Sequence, residues 1–366
     1  MSDSPIVLRG GPIAIEHIRK HGLQASDVAS VPAAAGGPKG LILQGLDQWL
    51  FGEWLAGAPR NRALIGASIG AWRMAAASMP DPVQGFARLG ELYCQQSYPH
   101  KPSSTYVSQV IEELLINFIG GHEQEIVTQP TNRLHILTTK GRGLLRSPQR
   151  SFSTKAGFVA ATLANIGSRS HLARHMERVV ISDQRDQLPW LRTRFDAFPT
   201  EFSALSAENL KVALLASGTL PLIMDPVRHI PGAPQGTYWD GGLIDYHLAL
   251  PYSRLSANKP SDLVLYPHFT DHIIPGWLDK AFSWRRASKG KNNHWLDNVL
   301  LVAPSAKFIQ SLPRNKVPDR NDFFFHGANN QLRIQEWQHA IGASQRLRDA
   351  FVAFVKNPDV NQIQSF

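Results

Sequence analysis

Gly66-Ala67-Ser68-Ile69-Gly70 joins an apolar run, Arg62 to Ala67, to a second apolar run that opens at Ile69. The first run has the length of a buried strand and the second the length of a helix, so the pentapeptide must turn a strand into a helix within a few residues. Such a turn demands almost no side chain two positions either side of the serine, because the backbones crowd there and a Cβ would clash. The helix that follows aims its free N–H groups and positive dipole end beside the serine, where they favour developing negative charge. The spacing is that of a nucleophile elbow, with Gly66 and Gly70 supporting Ser68.

The strand-helix alternation continues along the chain. Strands are predicted at Asp27 to Ala34, Arg62 to Ala67, Leu134 to Leu137, Val179 to Ile181 and Leu263 to Tyr266. Helices are predicted at Lys39 to Leu55, Ile69 to Ser78, Asp81 to Gln96, Tyr106 to Phe118, Ala207 to Ala216 and Gln331 to Val355. The pattern predicts an α/β fold with a mostly parallel sheet covered on both faces. No linker-like shift in composition interrupts it, so the expected organisation is one catalytic domain over residues 1–260 with residues 261–366 packed on it as a C-terminal extension.

Charge is unevenly spread. The chain has 38 Lys+Arg against 29 Asp+Glu, a formal net charge of +9, and the stretch from Lys140 to Arg178 carries +7 of it. Within that stretch Phe158, Val159, Thr162, Leu163 and Ile166 recur at helical spacing behind the capping candidates Ser153 and Thr154, so a basic amphipathic helix is expected, suited to an anionic membrane surface. A second basic stretch, Lys280 to Lys291, lies among Trp277, Phe282, Trp284 and Trp295. No RRM, helix-turn-helix or zinc-finger pattern accompanies the charge, and nucleic acid is not an expected partner.

Cys94 is the only cysteine, which excludes an intramolecular disulfide and a CxxC metal site, and no clustered Cys/His ligands suggest a metal or other cofactor. The first residues, with Asp3 ahead of any base and Arg9 and Glu16 cutting the apolar run, lack the pattern of a secretory signal. The apolar stretches Ala156 to Ser168 and Val212 to Met224 are too short to cross a membrane. A cytoplasmic protein, peripheral to a membrane, is the expectation.

Two further glycine motifs flank the elbow. Ala34-Ala35-Gly36-Gly37-Pro38-Lys39-Gly40 ends the first strand and leads into a helix, so that backbone N–H groups can converge on one spot, as an oxyanion hole or phosphate cradle requires. Neither GxxxxGK[ST] nor GxGxxG is matched there, which disfavours a nucleotide. Tyr238-Trp239-Asp240-Gly241-Gly242-Leu243 places an Asp ahead of two glycines, by itself a common turn.

A Gly-rich strand-to-helix loop, then GxSxG, then DGG is the order of motifs in the patatin-like phospholipase family, which the chain resembles over Asp27 to Pro251. The resemblance implies a three-layer α/β/α fold with a central, mostly parallel sheet, and a Ser/Asp dyad. Ser68 matches the nucleophile, Asp240 the base, Gly36, Gly37 and Gly40 the oxyanion loop, and Ala216 to Pro221 the segment preceding DGG. The implied activity is hydrolysis of carboxylic esters of phospholipids or other lipids without a cofactor. The chain departs from the pattern at Ala34 and Ala35, where the family loop has Asp and its first Gly, and at Tyr246, where an Asn often stands.

Two rivals remain at this stage. An α/β-hydrolase triad would recruit His247, His268, His272 or His294 after Asp240, although that fold places its elbow after several strands and only about one strand and helix precede Ser68. A basic membrane-binding protein that kept the fold and lost the chemistry is the other. His135, inside an apolar strand, reads as a satisfied core residue, and Trp72 as packing.

Overall fold

In the computed structural model, residues 4–99, 101–146, 151–255, 259, 261–327 and 329–366 are described, so Asp3, Arg150 and residue 260 lie outside the described residues. One sheet is built from β1 (Ile6–Gly10), β2 (Val28–Ala33), β3 (Arg62–Ala67), β4 (Asn132–Gly141), β5 (Met176–Ser182), β6 (Thr200–Ala204), β7 (Tyr238–Asp240), β8 (Leu263–Pro267), β9 (Val299–Pro304) and β10 (Ile363–Ser365). Its order is β10-β1-β9-β8-β2-β3-β4-β5-β6, with β7 paired to β4. The central block β9-β8-β2-β3-β4 is parallel throughout, whereas β1 runs against β9, and β5 and β7 run against β4.

Every residue of β2, β3, β4, β5, β8 and β9 is buried. Successive side chains of a strand point to opposite faces, so consecutive burial means that both faces of the sheet are covered. This is the α/β fold that the alternation predicts, with helices and a mostly parallel central sheet in a three-layer arrangement. The stretch after residue 260 supplies β8, β9 and β10, and β8 and β9 lie between β1 and β2, so the sheet is continuous across that position.

Several predicted elements change form. The run predicted as one helix over Lys39 to Leu55 begins as a tight 3-10 segment, Gly37–Leu43, becomes α-helical over Gln44–Trp49 and widens to a π-turn over Leu50–Trp54. The helix predicted over Gln331 to Val355 is two helices, Asn330–Ala343 and Gln345–Lys356. The break falls at Ser344, whose Oγ donates to the Ile341 carbonyl at 2.5 Å and accepts the Gly45 N–H at 2.8 Å, so the side chain competes with the helix's own ladder. Ser153 and Thr154 do not cap the basic-segment helix, since it spans Ser151–Gly167 and takes them into its first turn.

The register of β4 positions the site. Its partner β5 covers one edge from His135 to Gly141. On the other edge β3 pairs from Asn132 to Leu137, and β7 takes over from Thr138 to Lys140. Ala67 therefore lies opposite Leu137 and Asp240 opposite Thr138, which brings the residue after β3 beside the residue that ends β7.

The helix that leaves the elbow, Ile69–Ala77, is buried along its whole length and carries one internal cation, Arg73. Arg73 Nε and Nη2 donate to the two carboxylate oxygens of buried Asp47 at 2.8 Å each, which ties the elbow helix to Gln44–Trp49. Removing one partner of such a pair leaves a charge desolvated, so Asp47→Ala is expected to cost about 3–5 kcal/mol, measured as a lowered urea midpoint. Asp47→Leu combined with Arg73→Met is expected to cost less than Asp47→Ala alone; a larger loss in the double variant would contradict this account.

Candidate active site

Ser68 adopts φ 56°, ψ −131°, a backbone conformation that costs a non-glycine residue about 1–3 kcal/mol and is held here by its surroundings. The flanking glycines are required by contact. A Cβ on Gly66 would stand 2.5 Å from the Ala71 backbone, and one on Gly70 would stand 1.9 Å from the Ala33 carbonyl oxygen. The Ser68 carbonyl accepts from the N–H groups of Ala71 and Trp72 as the helix starts. The Ser68 N–H donates to Ser217 Oγ at 2.8 Å, and Ser217 Oγ donates to the Leu137 carbonyl at 2.6 Å. Ser217 thus straps the elbow to β4 at the point where β3 gives way to β7.

Ser68 Oγ donates to Asp240 Oδ2 at 2.8 Å across 172 residues of sequence, and both residues are buried. The other carboxylate oxygen, Oδ1, accepts the Gly242 N–H at 2.7 Å, while the Asp240 N–H donates to the Thr219 carbonyl. Burial pushes the Asp240 carboxyl up to about 6, against the hydrogen bonds from Ser68 and Gly242 and the nearby charges of Arg320 and Lys280. The glycines after Asp240 are again steric necessities: a Cβ on Gly241 would stand 2.1 Å from the Leu137 carbonyl oxygen, and one on Gly242 would stand 2.7 Å from the Ala35 Cβ.

The loop after β2 meets the same point. The Ala35 N–H is taken by the Tyr246 carbonyl at 2.9 Å, so it is not free to donate into the cavity. The N–H groups of Gly36 and Gly37 have no acceptor among the described residues, and both glycines line the cavity that holds Ser68 and Asp240. Gly37 has φ +59°, and a Cβ on Gly36 would stand 2.6 Å from the Phe269 ring. Gly40 does not line that cavity among the described residues; its neighbours are Ile69 and Arg73, and it brings the loop close to the elbow helix.

The cavity encloses about 1010 Å³. Apolar side chains from the helix Ser104–Ile119 and from the turn after Ala207–Gly218, among them Val107, Ile111, Leu220 and Met224, form much of its lining. Lys39, Lys280, Arg320 and the exposed Lys101 line it as well; Lys39 belongs to the glycine loop and Lys280 opens the second basic stretch, whereas Arg320 carries no signal in the sequence. Trp72 lines it too, with its Nε1 donating to the Leu214 carbonyl at 3.0 Å, so it both packs and faces the site.

No histidine among the described residues bonds to Ser68 or Asp240 or lines the cavity. His247 and His268 stack in an aromatic cluster with Tyr246 and Phe269, and burial holds both well below the ordinary histidine range, His268 at about 3. Their Nδ1 atoms accept from the Ile274 and Thr270 N–H groups. His272 pairs with Asp271, and His294 packs near Trp295. His135 is a core residue with both ring nitrogens partnered, by Ser182 Oγ and Asp186.

Lys140, Arg169 and Arg178 of the basic segment are engaged in ion pairs within the fold, whereas Arg146, Lys155 and Arg174 are exposed. Arg178 is fully buried between Asp245 and Asp196, Arg169 pairs with Asp279 at 3.1 Å, and Lys140 pairs with Glu177 at 2.6 Å. On the helix Ser151–Gly167, Phe158 packs on Trp239, while Val159, Leu163 and Ile166 are 59%, 63% and 56% exposed.

Compared with protein-family models and with curated proteins, the chain has no match.

Ser217 could not be assigned from the sequence beyond its place in a small-residue stretch, and it supplies a test of the elbow's support. Ser217→Ala leaves the Ser68 N–H and the Leu137 carbonyl without their partner, at an expected cost of about 1–3 kcal/mol. If the strap positions Ser68, reaction of Ser68 with a fluorophosphonate probe slows about tenfold or more in a protein that stays folded; an unchanged rate would contradict that role.

Proposed function

We propose that this chain is a serine acyl hydrolase of patatin-like type that cleaves carboxylic ester bonds of lipids through a Ser/Asp dyad. The observation that carries the reading is the 2.8 Å hydrogen bond from Ser68 Oγ to a buried Asp240 carboxylate on the wall of a largely apolar cavity. Asp240 accepts the Ser68 proton as Oγ attacks the acyl carbon, and the carbonyl electron pair moves onto oxygen. The N–H groups of Gly36 and Gly37, unengaged and in the lining of the same cavity, hold that oxyanion in this reading. The tetrahedral adduct collapses, the bond to the alcohol oxygen breaks, and the proton on Asp240 passes to the alcohol. Water, giving its proton to Asp240, then attacks the acyl-enzyme, and the fatty acid leaves as Ser68 recovers its proton.

A carboxyl near 6 suits both halves of this cycle, since it is mostly ionised at neutral pH and still basic enough to take a proton transiently. The site geometry favours the enzyme over an inactive binding protein, because the elbow's strain and the buried hydrogen bond serve no evident packing need. It favours the dyad over a triad, since no histidine among the described residues bonds to Ser68 or Asp240 or lines their cavity.

A membrane contact through the helix Ser151–Gly167 belongs to the same proposal. No helix among the described residues is long and apolar enough to cross a membrane. The exposed stripe Val159, Leu163 and Ile166 supplies apolar area, with Lys155 and Arg174 among the exposed cations of the segment. With Lys140, Arg169 and Arg178 engaged inside, the apolar stripe rather than the summed charge carries the contact.

Ser68→Ala and Asp240→Asn are each expected to remove turnover of a short acyl ester by about three orders of magnitude or more, and the double variant to lose little beyond either, because the two residues act as a unit. Gln at His247, His268, His272 or His294 is expected to leave most activity in a protein that stays folded. Loss of turnover on one of these, without unfolding, would replace the dyad by a triad. Leu163→Glu is expected to weaken vesicle co-sedimentation; undiminished binding would remove that helix as the contact.

A further inference from the structure

The mechanism above uses Ser68, Asp240 and backbone N–H groups, and brings none of the half-buried cations Lys39, Lys280 and Arg320 into contact with the reacting atoms. Lys39, Lys280 and Arg320 come from three distant parts of the chain, are half-buried and line the same cavity. They stand close enough to oppose one another's charge: Lys280 is pulled down to about 7, first by burial and then by Lys39 and Arg320, with Asp240 and Asp319 acting the other way. Lys39 is lowered by burial and by Arg320, with Asp319 acting the other way.

None of the three has an ion-pair partner among the described residues. They rest on ring faces, Lys39 Nζ 5.4 Å from the Phe269 centroid, Lys280 Nζ 4.1 Å from Tyr246 and the Arg320 guanidinium 5.1 Å from Trp277. The two carboxylates that line the cavity are already engaged. Asp240 accepts from Ser68 and Gly242, and Asp319 pairs with Lys316 at 2.9 Å. Three partly desolvated like charges outnumber the two nearby carboxylates, neither of which pairs with them, and a site that gathers such an excess is complementary to an anion.

We infer that the ester taken by this site carries a net anionic group on its alcohol portion, a phosphate monoester or a carboxylate rather than a zwitterionic or neutral group, bound by Lys280 and Arg320 with Lys39 while the acyl chain follows the apolar lining. The inference rests on the acyl-hydrolase reading and specifies the substrate class that the reading leaves open. Arginine matches a phosphate or carboxylate with two parallel N–H donors, and a lysine adds a compact charge beside it.

The test compares three soluble esters with the same short acyl chain: monoacylglycerol, its phosphate monoester, and its phosphocholine derivative. The wild-type protein is expected to show kcat/KM about tenfold or more higher for the phosphate monoester than for either of the others. Lys280→Met with Arg320→Met, which keeps apolar stems over Tyr246 and Trp277, is expected to bring that ratio close to one. A wild-type ratio near one, or a ratio unaffected by the substitutions, would overturn the inference. If the cations served only to keep Asp240 ionised, all three esters would slow together and the ratio would stand.

Binding to the Ser68→Ala protein separates this from the failure of the hydrolase reading. By calorimetry, octyl phosphate is expected to bind at least about tenfold tighter than octanol or inorganic phosphate, and to lose that advantage when Lys280 and Arg320 are also replaced. Inorganic phosphate binding as tightly as octyl phosphate would assign the cluster to the free ion and overturn the inference. Absence of ester turnover and of fluorophosphonate labelling at Ser68 would remove the hydrolase reading, while preferential octyl phosphate binding would still support an anionic lipid ligand.

Discussion

The hydrogen bond between Ser68 and Asp240 depends on how β4 divides one of its edges. β3 occupies that edge as far as Leu137 and β7 occupies it from Thr138, so the chain leaving β3 and the chain ending β7 must meet at the boundary. The meeting is too close for ordinary side chains. Gly66, Gly70 and Gly241 are all held where a Cβ would overlap backbone, and the Ser217 strap spans the same junction from the Ser68 N–H to the Leu137 carbonyl. The strained serine, the carboxylate and the strap are consequences of one register, which a slip of one residue would dismantle.

The electrostatics follow from the same placement. A carboxylate buried at a strand junction is destabilised by loss of water, and here it rises to about 6 rather than further because Ser68, Gly242, Arg320 and Lys280 favour its ionised form. Lys280, one of the cations that assist it, is itself disfavoured in its charged form by burial and by the neighbouring Lys39 and Arg320. On the function proposed above, an anion bound by these cations would offset their charge and make Asp240 a stronger base.

The sequence makes the local parts of this arrangement legible and the non-local parts not. GxSxG, the Gly36-Gly37 loop and Asp240-Gly241-Gly242 announce themselves because each is a short backbone necessity written in glycines. That β7, only three residues long, pairs with a strand about a hundred residues earlier has no local signature. Arg178 shows the converse error. In a run of bases it reads as surface charge, yet it is buried between Asp245 and Asp196, whose distance in the sequence hides the pairing. The cation cluster is invisible for the same reason, since Lys280 and Arg320 converge on Lys39 only in the folded chain. Ser344, which divides the long C-terminal helical run, acts through the distant Gly45 N–H.

The central claim is that a buried carboxylate, and no histidine, activates Ser68. It is tested most directly by the pH dependence of the rate at which a neutral fluorophosphonate labels the wild-type protein, with the adduct located by peptide mass. The account predicts labelling on Ser68 alone, at a rate that rises with pH through about 6, as Asp240 becomes ionised, and then levels off. The same rise should be absent in Asp240→Asn. Labelling of another residue, or a rise that persists in Asp240→Asn and vanishes on replacing a histidine, would contradict it.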